Sequence, residues 1–136
     1  MGDEAVKAYL HAVEQEHRTG KAREHAYRPA LKALVEALGG GEVQAVNEPA
    51  RVECGAPDFI VERKDRGIPL GYIEAKDIDE NLDHVERSDQ LSRYLGALDN
   101  LVLTDYLEFR RYSGGELRQS LRTARFDARG KLKPEP

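Results

Sequence analysis

The residues able to do chemistry sit in two short stretches, Pro57-Asp58 and the run Tyr72-Ile73-Glu74-Ala75-Lys76. In a strand, side chains at i and i+2 project to one face. Glu74 and Lys76 therefore point together, while Ile73 and Ala75 turn into the sheet packing. A hairpin through residues 63–67 sets Asp58 on the neighbouring strand, so two carboxylates and an ammonium gather at one end of a small sheet. Acidic oxygens, a main-chain carbonyl and water are the donors that hard Mg²⁺ prefers. Such an ion polarises a phosphoryl oxygen and lowers the pKa of a coordinated water. A lysine beside it can steer or deprotonate that water and offset charge in the transition state.

The elements that must position these groups follow from hydrophobic period. Val6, Tyr9, Leu10, Val13 and His17 recur at helical spacing behind Asp3, a capping residue, until Thr19-Gly20 breaks the pattern. A second helix is expected from about Glu24 to Leu38, with Pro29 near its first turn and Gly39-Gly40-Gly41 ending it. Residues 42–47, 58–62 and 69–77 read as strands, and a helix runs through Val85, Leu91, Tyr94, Leu95 and Leu98. Leu101-Val102-Leu103-Thr104 is a buried strand, residues 106–112 alternate, and residues 116–126 return as an antiparallel partner after Gly114-Gly115. The sequence thus predicts an α/β fold with an αβββαβ order, a mixed central sheet flanked by helices. Residues 1–130 form one domain, and residues 131–136 are a linker-like tail leading to further domains of a parent chain.

Composition bounds the function. The chain has 136 residues and a formal net charge of −4, enough for one core and too acidic to hold nucleic acid by bulk charge alone. The single cysteine, Cys54, excludes an internal disulfide framework and a cysteine-built zinc site. No apolar run approaches the ~18 residues of a membrane helix. The acidic start Met1-Gly2-Asp3-Glu4 is the wrong sign for a secretory signal, so a cytoplasmic setting without membrane partners is expected. Residues 41–80 hold ten acidic against five basic groups, whereas residues 113–136 hold six basic against three acidic. An acidic centre beside a basic edge suits cation binding next to a phosphate-facing surface, and also ordinary variation in surface charge. Arg110, Arg111, Arg118, Arg122 and Arg125, on the expected last strands and tail, could meet DNA phosphates or simply keep an edge strand solvated.

Pro57-Asp58…Glu74-Ala75-Lys76 resembles the PD-(D/E)XK nuclease signature, and the deduced element order resembles that superfamily's core. Gln90-Leu91-Ser92-Arg93-Tyr94 is similar to the Q-x-x-x-Y motif on the helix after E-x-K in several branches; on a helix, Gln90 and Tyr94 share a face. The wording around the motifs, Glu24-His25-Ala26-Tyr27-Arg28-Pro29-Ala30-Leu31 and Glu53-Cys54-Gly55-Ala56-Pro57-Asp58-Phe59, resembles the Mrr-like nuclease domains at the N-terminus of single-chain restriction–modification enzymes. The resemblance implies an Mg²⁺-dependent DNA endonuclease, with Mn²⁺ able to substitute. Asp58, Glu74 and the Ala75 carbonyl would hold the metal, Lys76 would activate water, and Gln90 and Tyr94 would orient Lys76 or the scissile phosphate. Glu24 is the candidate for the acidic residue that many members place on the first core helix, or a helix-start glutamate favoured by the dipole. The implied partners are DNA, methyltransferase, target-recognition and motor domains, and a second nuclease domain for double-strand cleavage. The competing expectations are a nuclease-fold module that binds DNA or protein without cutting, and a stand-alone resolvase or repair nuclease.

Overall fold

A computed structural model describes residues 2–20, 24–47, 57–78, 80–129 and 131–134. Helix α1 (Gly2–Arg18) buries Tyr9, Leu10 and Val13. It stops where the Thr19 hydroxyl donates to the Glu16 carbonyl (2.8 Å) and Gly20 takes φ 69°. Asp3 lies within the first turn, where its charge complements the helix dipole, and does not precede the helix as a cap. Residues Glu24–Tyr27 form a 3₁₀ turn, and α2 runs from Arg28 to Leu38. The α-helix starts later than expected because Pro29 tolerates only first-turn positions: deeper in, it would strip a hydrogen bond and clash with the preceding turn.

The sheet follows as β1 (Val43–Asn47), β2 (Phe59–Arg63), β3 (Pro69–Ala75), then α3 (Leu82–Glu86) and α4 (Asp89–Ala97), then β4 (Asn100–Thr104), β5 (Glu108–Ser113) and β6 (Glu116–Arg122). The six strands lie in chain order, all neighbours antiparallel except β3 and β4. That one parallel pair needs a crossover, which α3 and α4 supply. This is the mixed α/β architecture and the αβββαβ order that the sequence predicts. The helix expected through residues 85–98 is two helices, because Ser88 restarts it: its hydroxyl accepts the Leu91 N–H (3.2 Å) as an N-cap.

Alternation on β3 and β4 divides the core into two clusters. Ile73, Ala75 and Val102 pack with α1 and α2, whereas Tyr72, Leu101 and Leu103 pack with α3 and α4. The centre of the sheet is therefore covered on both faces, whereas β6 is exposed along most of its length. Leu103 is fully buried on the central parallel strand. Leu103→Ala is expected to cost about 2–5 kcal/mol in urea unfolding through the cavity it leaves.

The strand expected over residues 116–126 breaks at Thr123, whose N–H and hydroxyl both donate to the Leu107 carbonyl (2.7 and 2.8 Å). Beyond it, β7 (Ala124–Phe126) pairs with β8 (Leu132–Pro134) in a separate ribbon. Part of the linker-like tail is thus a strand, held to α1 by Leu132 N–H on Glu14 (2.8 Å) and by Phe126 stacked on His17 (4.2 Å between centroids). Among the described residues, no helix is long and apolar enough to cross a membrane.

Candidate active site

The β2–β3 hairpin brings the acidic residues together, and a bulge decides how. At the turn end Glu62 pairs with Pro69, a register that would carry Asp58 opposite Ile73. Between there and the Val61–Gly71 pair the register shifts by one, with Leu70 as the extra residue on β3. Phe59 consequently faces Ile73, and one further step sets Asp58 opposite Glu74. A one-residue slip would have exchanged the faces.

Four side chains interlock at this end of the sheet. Asp58 Oδ2 accepts the Ala75 N–H (2.8 Å), and Glu74 Oε1 accepts the Asp58 N–H (3.3 Å). Glu74 Oε2 lies 3.2 Å from Lys76 Nζ, which also donates to Gln90 Oε1 (3.0 Å). The Lys76 backbone is fixed because its N–H donates to the Thr104 carbonyl (2.8 Å), extending the parallel ladder past the end of β3. From the opposite helix layer, the guanidinium of Arg28 bonds Asp58 Oδ1 and donates to Asn47 Oδ1 (3.2 Å). Asp58 and Glu74 are thus each paired with a cation of their own, Arg28 and Lys76.

Glu74 is 5 % exposed. Burial first, and the Asp58 charge second, push its carboxyl up to about 7, against the pull of Lys76 and the Asp58 N–H. A buried carboxylate that ionises so reluctantly beside another is a place where added positive charge is stabilised. Among the described residues, no three His, Cys, Asp or Glu side chains come together as a ligand set. The donors the structure brings together are two carboxylates, which fit a hard ion that keeps several of its waters.

Of the residues picked out from the sequence, Asp58, Glu74, Ala75, Lys76 and Gln90 meet here. Tyr94, one turn beyond Gln90, is buried in the core cluster with Leu91, Leu101 and Leu103. Glu24 belongs to the 3₁₀ turn before α2; its side chain lies outside the described residues, as do Glu53, Cys54, Gly55 and Ala56. Arg110 is not offered to a phosphate: it bonds Asp83 (2.8 Å), Glu86 (3.4 Å) and Glu108 (2.7 Å), tying α3 to the sheet. Arg122 joins the same network through Glu108 (2.8 Å).

Arg28 and Asn47 were not among the expected site residues. One local signal existed: an arginine in the first turn of α2, a turn without acidic residues, opposes the helix dipole. A cation at an unfavourable helix position is a local conflict of the kind that tertiary or functional demands impose.

Comparison with solved structures shows a likeness of fold. A solved cryo-EM structure of a DrdV–DNA complex contains a chain with this fold, at TM-score 0.75 and 22% sequence identity. The fold is shared with DrdV. The match covers 90% of this chain and 12% of the DrdV chain, so the present sequence corresponds to a small part of that protein's length. At this identity the likeness to DrdV concerns architecture alone. No protein-family description matches the sequence, and no curated protein does.

Proposed function

We propose that this chain is a metal-dependent DNA endonuclease domain of the PD-(D/E)XK type, the cleavage module of a restriction–modification enzyme. The observation that carries the reading is the convergence of Asp58, Glu74 and Lys76 within hydrogen-bonding distance across the β2–β3 hairpin. The shared architecture with a DrdV chain seen bound to DNA supports DNA as the substrate.

In this reading Asp58, Glu74 and the Ala75 carbonyl would hold Mg²⁺, with Mn²⁺ able to substitute. The ion would supply Lewis-acid activation of the phosphate and acidify a bound water. Lys76 directs its ammonium along the Glu74 face, where it orients the nucleophile and offsets developing negative charge on phosphate oxygen. Gln90 holds that ammonium from α4 and so couples the helical layer to the sheet end. Burial around Glu74 lowers the local dielectric and strengthens each of these contacts. The parent chain would supply target recognition, methylation and a second nuclease domain, since one such centre cuts one strand.

The second reading, a module that binds without cutting, is favoured by the same balance of charges: each carboxylate already has a cation. The two separate in one assay. Supercoiled plasmid is incubated with stoichiometric protein in Mg²⁺ or in EDTA, alongside Asp58→Ala, Glu74→Ala and Lys76→Ala, in the full-length parent as well as the domain. The endonuclease nicks in Mg²⁺ only and loses activity in each variant. Nicking that persists in all three variants eliminates the assignment.

A further inference from the structure

Arg28 opens α2, yet its side chain is 8 % exposed and reaches out of the helical layer to Asp58. Its second hydrogen bond, to Asn47 at the end of β1, fixes the planar fork between two strands. Burial leaves it no easy route into solvent. Glu74 is served separately by Lys76. With both carboxylates ionised, the formal charges of Arg28, Asp58, Glu74 and Lys76 cancel.

We propose that Arg28 is the resident counter-cation of the site: it does for Asp58, in the ion-free protein, what a divalent ion does in the loaded one, and so holds ion affinity low. The inference rests on the reading of Asp58 and Glu74 as metal ligands. The physical reason is direct. A guanidinium fixed on Oδ1 leaves fewer acceptor positions on Asp58, and its charge repels any cation sharing that carboxylate through a partly desolvated medium. The same contact stabilises the empty site, because without it, among the described residues, Asp58 stands beside Glu74 with Lys76 as the compensating cation. Arg28 is therefore a positioning and charge-balancing residue, not one that touches the reacting atoms. A site tuned this way loads its ion weakly alone and more firmly once another anion, such as a DNA phosphate, joins it.

The test is calorimetric titration with Mg²⁺ and with Mn²⁺, without DNA, on wild type, Arg28→Met, Arg28→Gln and Arg28→Lys, with Asp58→Ala as the reference for site-specific heat. Methionine keeps the apolar stem, and glutamine keeps a hydrogen-bond donor should methionine fail to fold. Both neutral variants are expected to bind the ions about tenfold more tightly than wild type. Arg28→Lys, which keeps the charge but not the fork, should stay within about threefold. Thermal melts provide the second readout: the neutral variants melt lower in EDTA and recover more than wild type in saturating Mg²⁺. A merely structural arginine would lower both melts alike. Unchanged or weaker ion binding in the neutral variants overturns the proposal and leaves the metal-site reading standing. Absence of Asp58-dependent heat from every protein, wild type included, overturns both.

Discussion

Lys76→Ala is expected to lower the nicking rate in Mg²⁺ by about 10²–10⁴-fold while leaving the ion-binding heat in place. The separation follows from geometry. Lys76 Nζ contacts Glu74 and Gln90, so its loss removes a positive charge and a donor from the reacting region without removing a carboxylate. Asp58→Ala should show the opposite signature, with ion binding and nicking lost together. Gln90→Ala, which only releases the ammonium, should cost less than Lys76→Ala, and Gln90→Glu should not restore the rate. Retention of wild-type nicking by Lys76→Ala would show that water is activated elsewhere. Simultaneous loss of ion binding in that variant would instead show that Lys76 shapes the carboxylates.

Glu74→Gln is expected to make the ion-free protein more stable at pH 8, although it destroys the proposed site. In the folded chain the Glu74 carboxyl is pushed up to about 7, from an ordinary value near 4.5. Folding therefore favours the protonated acid. The stability this contributes is full below about pH 4.5, declines as pH rises toward 7, and is gone above it. The shift corresponds to at most ~3 kcal/mol. Urea unfolding in EDTA should show Glu74→Gln ahead of wild type by about 1–3 kcal/mol at pH 8, with the gap closing by pH 4. Saturating Mg²⁺ should reverse the ranking at pH 8, because an ion bound to the native state alone stabilises it. A gap independent of pH would mean that the charge on Glu74 is not what strains the site. Functional residues commonly cost stability in this way.

Parts with a period or a fixed offset were legible along the chain. The i and i+2 spacing of Glu74 and Lys76 places them on one face whatever the rest of the chain does, and the alternation of β3 and β4 follows from what must be buried on each side. Gln90 was readable through the resemblance of residues 90–94 to the Q-x-x-x-Y motif, which also offered Tyr94; the fold brings Gln90 to Lys76 and buries Tyr94 in the core. Helix interruptions were less legible: Ser88 is a modest helix residue and a strong cap, and only the packing of Val85 and Leu91 into one cluster makes the restart worthwhile.

Tertiary structure alone decided the rest. The bulge at Leu70 sets which residue faces Asp58; Pro69 and Gly71 on either side permit a bulge without fixing the register, and the ladder slips so that Ile73 and Phe59 both enter the core beneath α1 and α2. The strand at residues 132–134 exists because Glu14 and His17, more than a hundred positions earlier, present a surface for it. Arg28 reaches the candidate site for the same reason: a buried carboxylate beside a half-buried one favours positive charge, and the fold meets that demand from an element within reach. Periodicity is written in neighbours along the chain, but charge compensation is settled between groups that become neighbours only after folding.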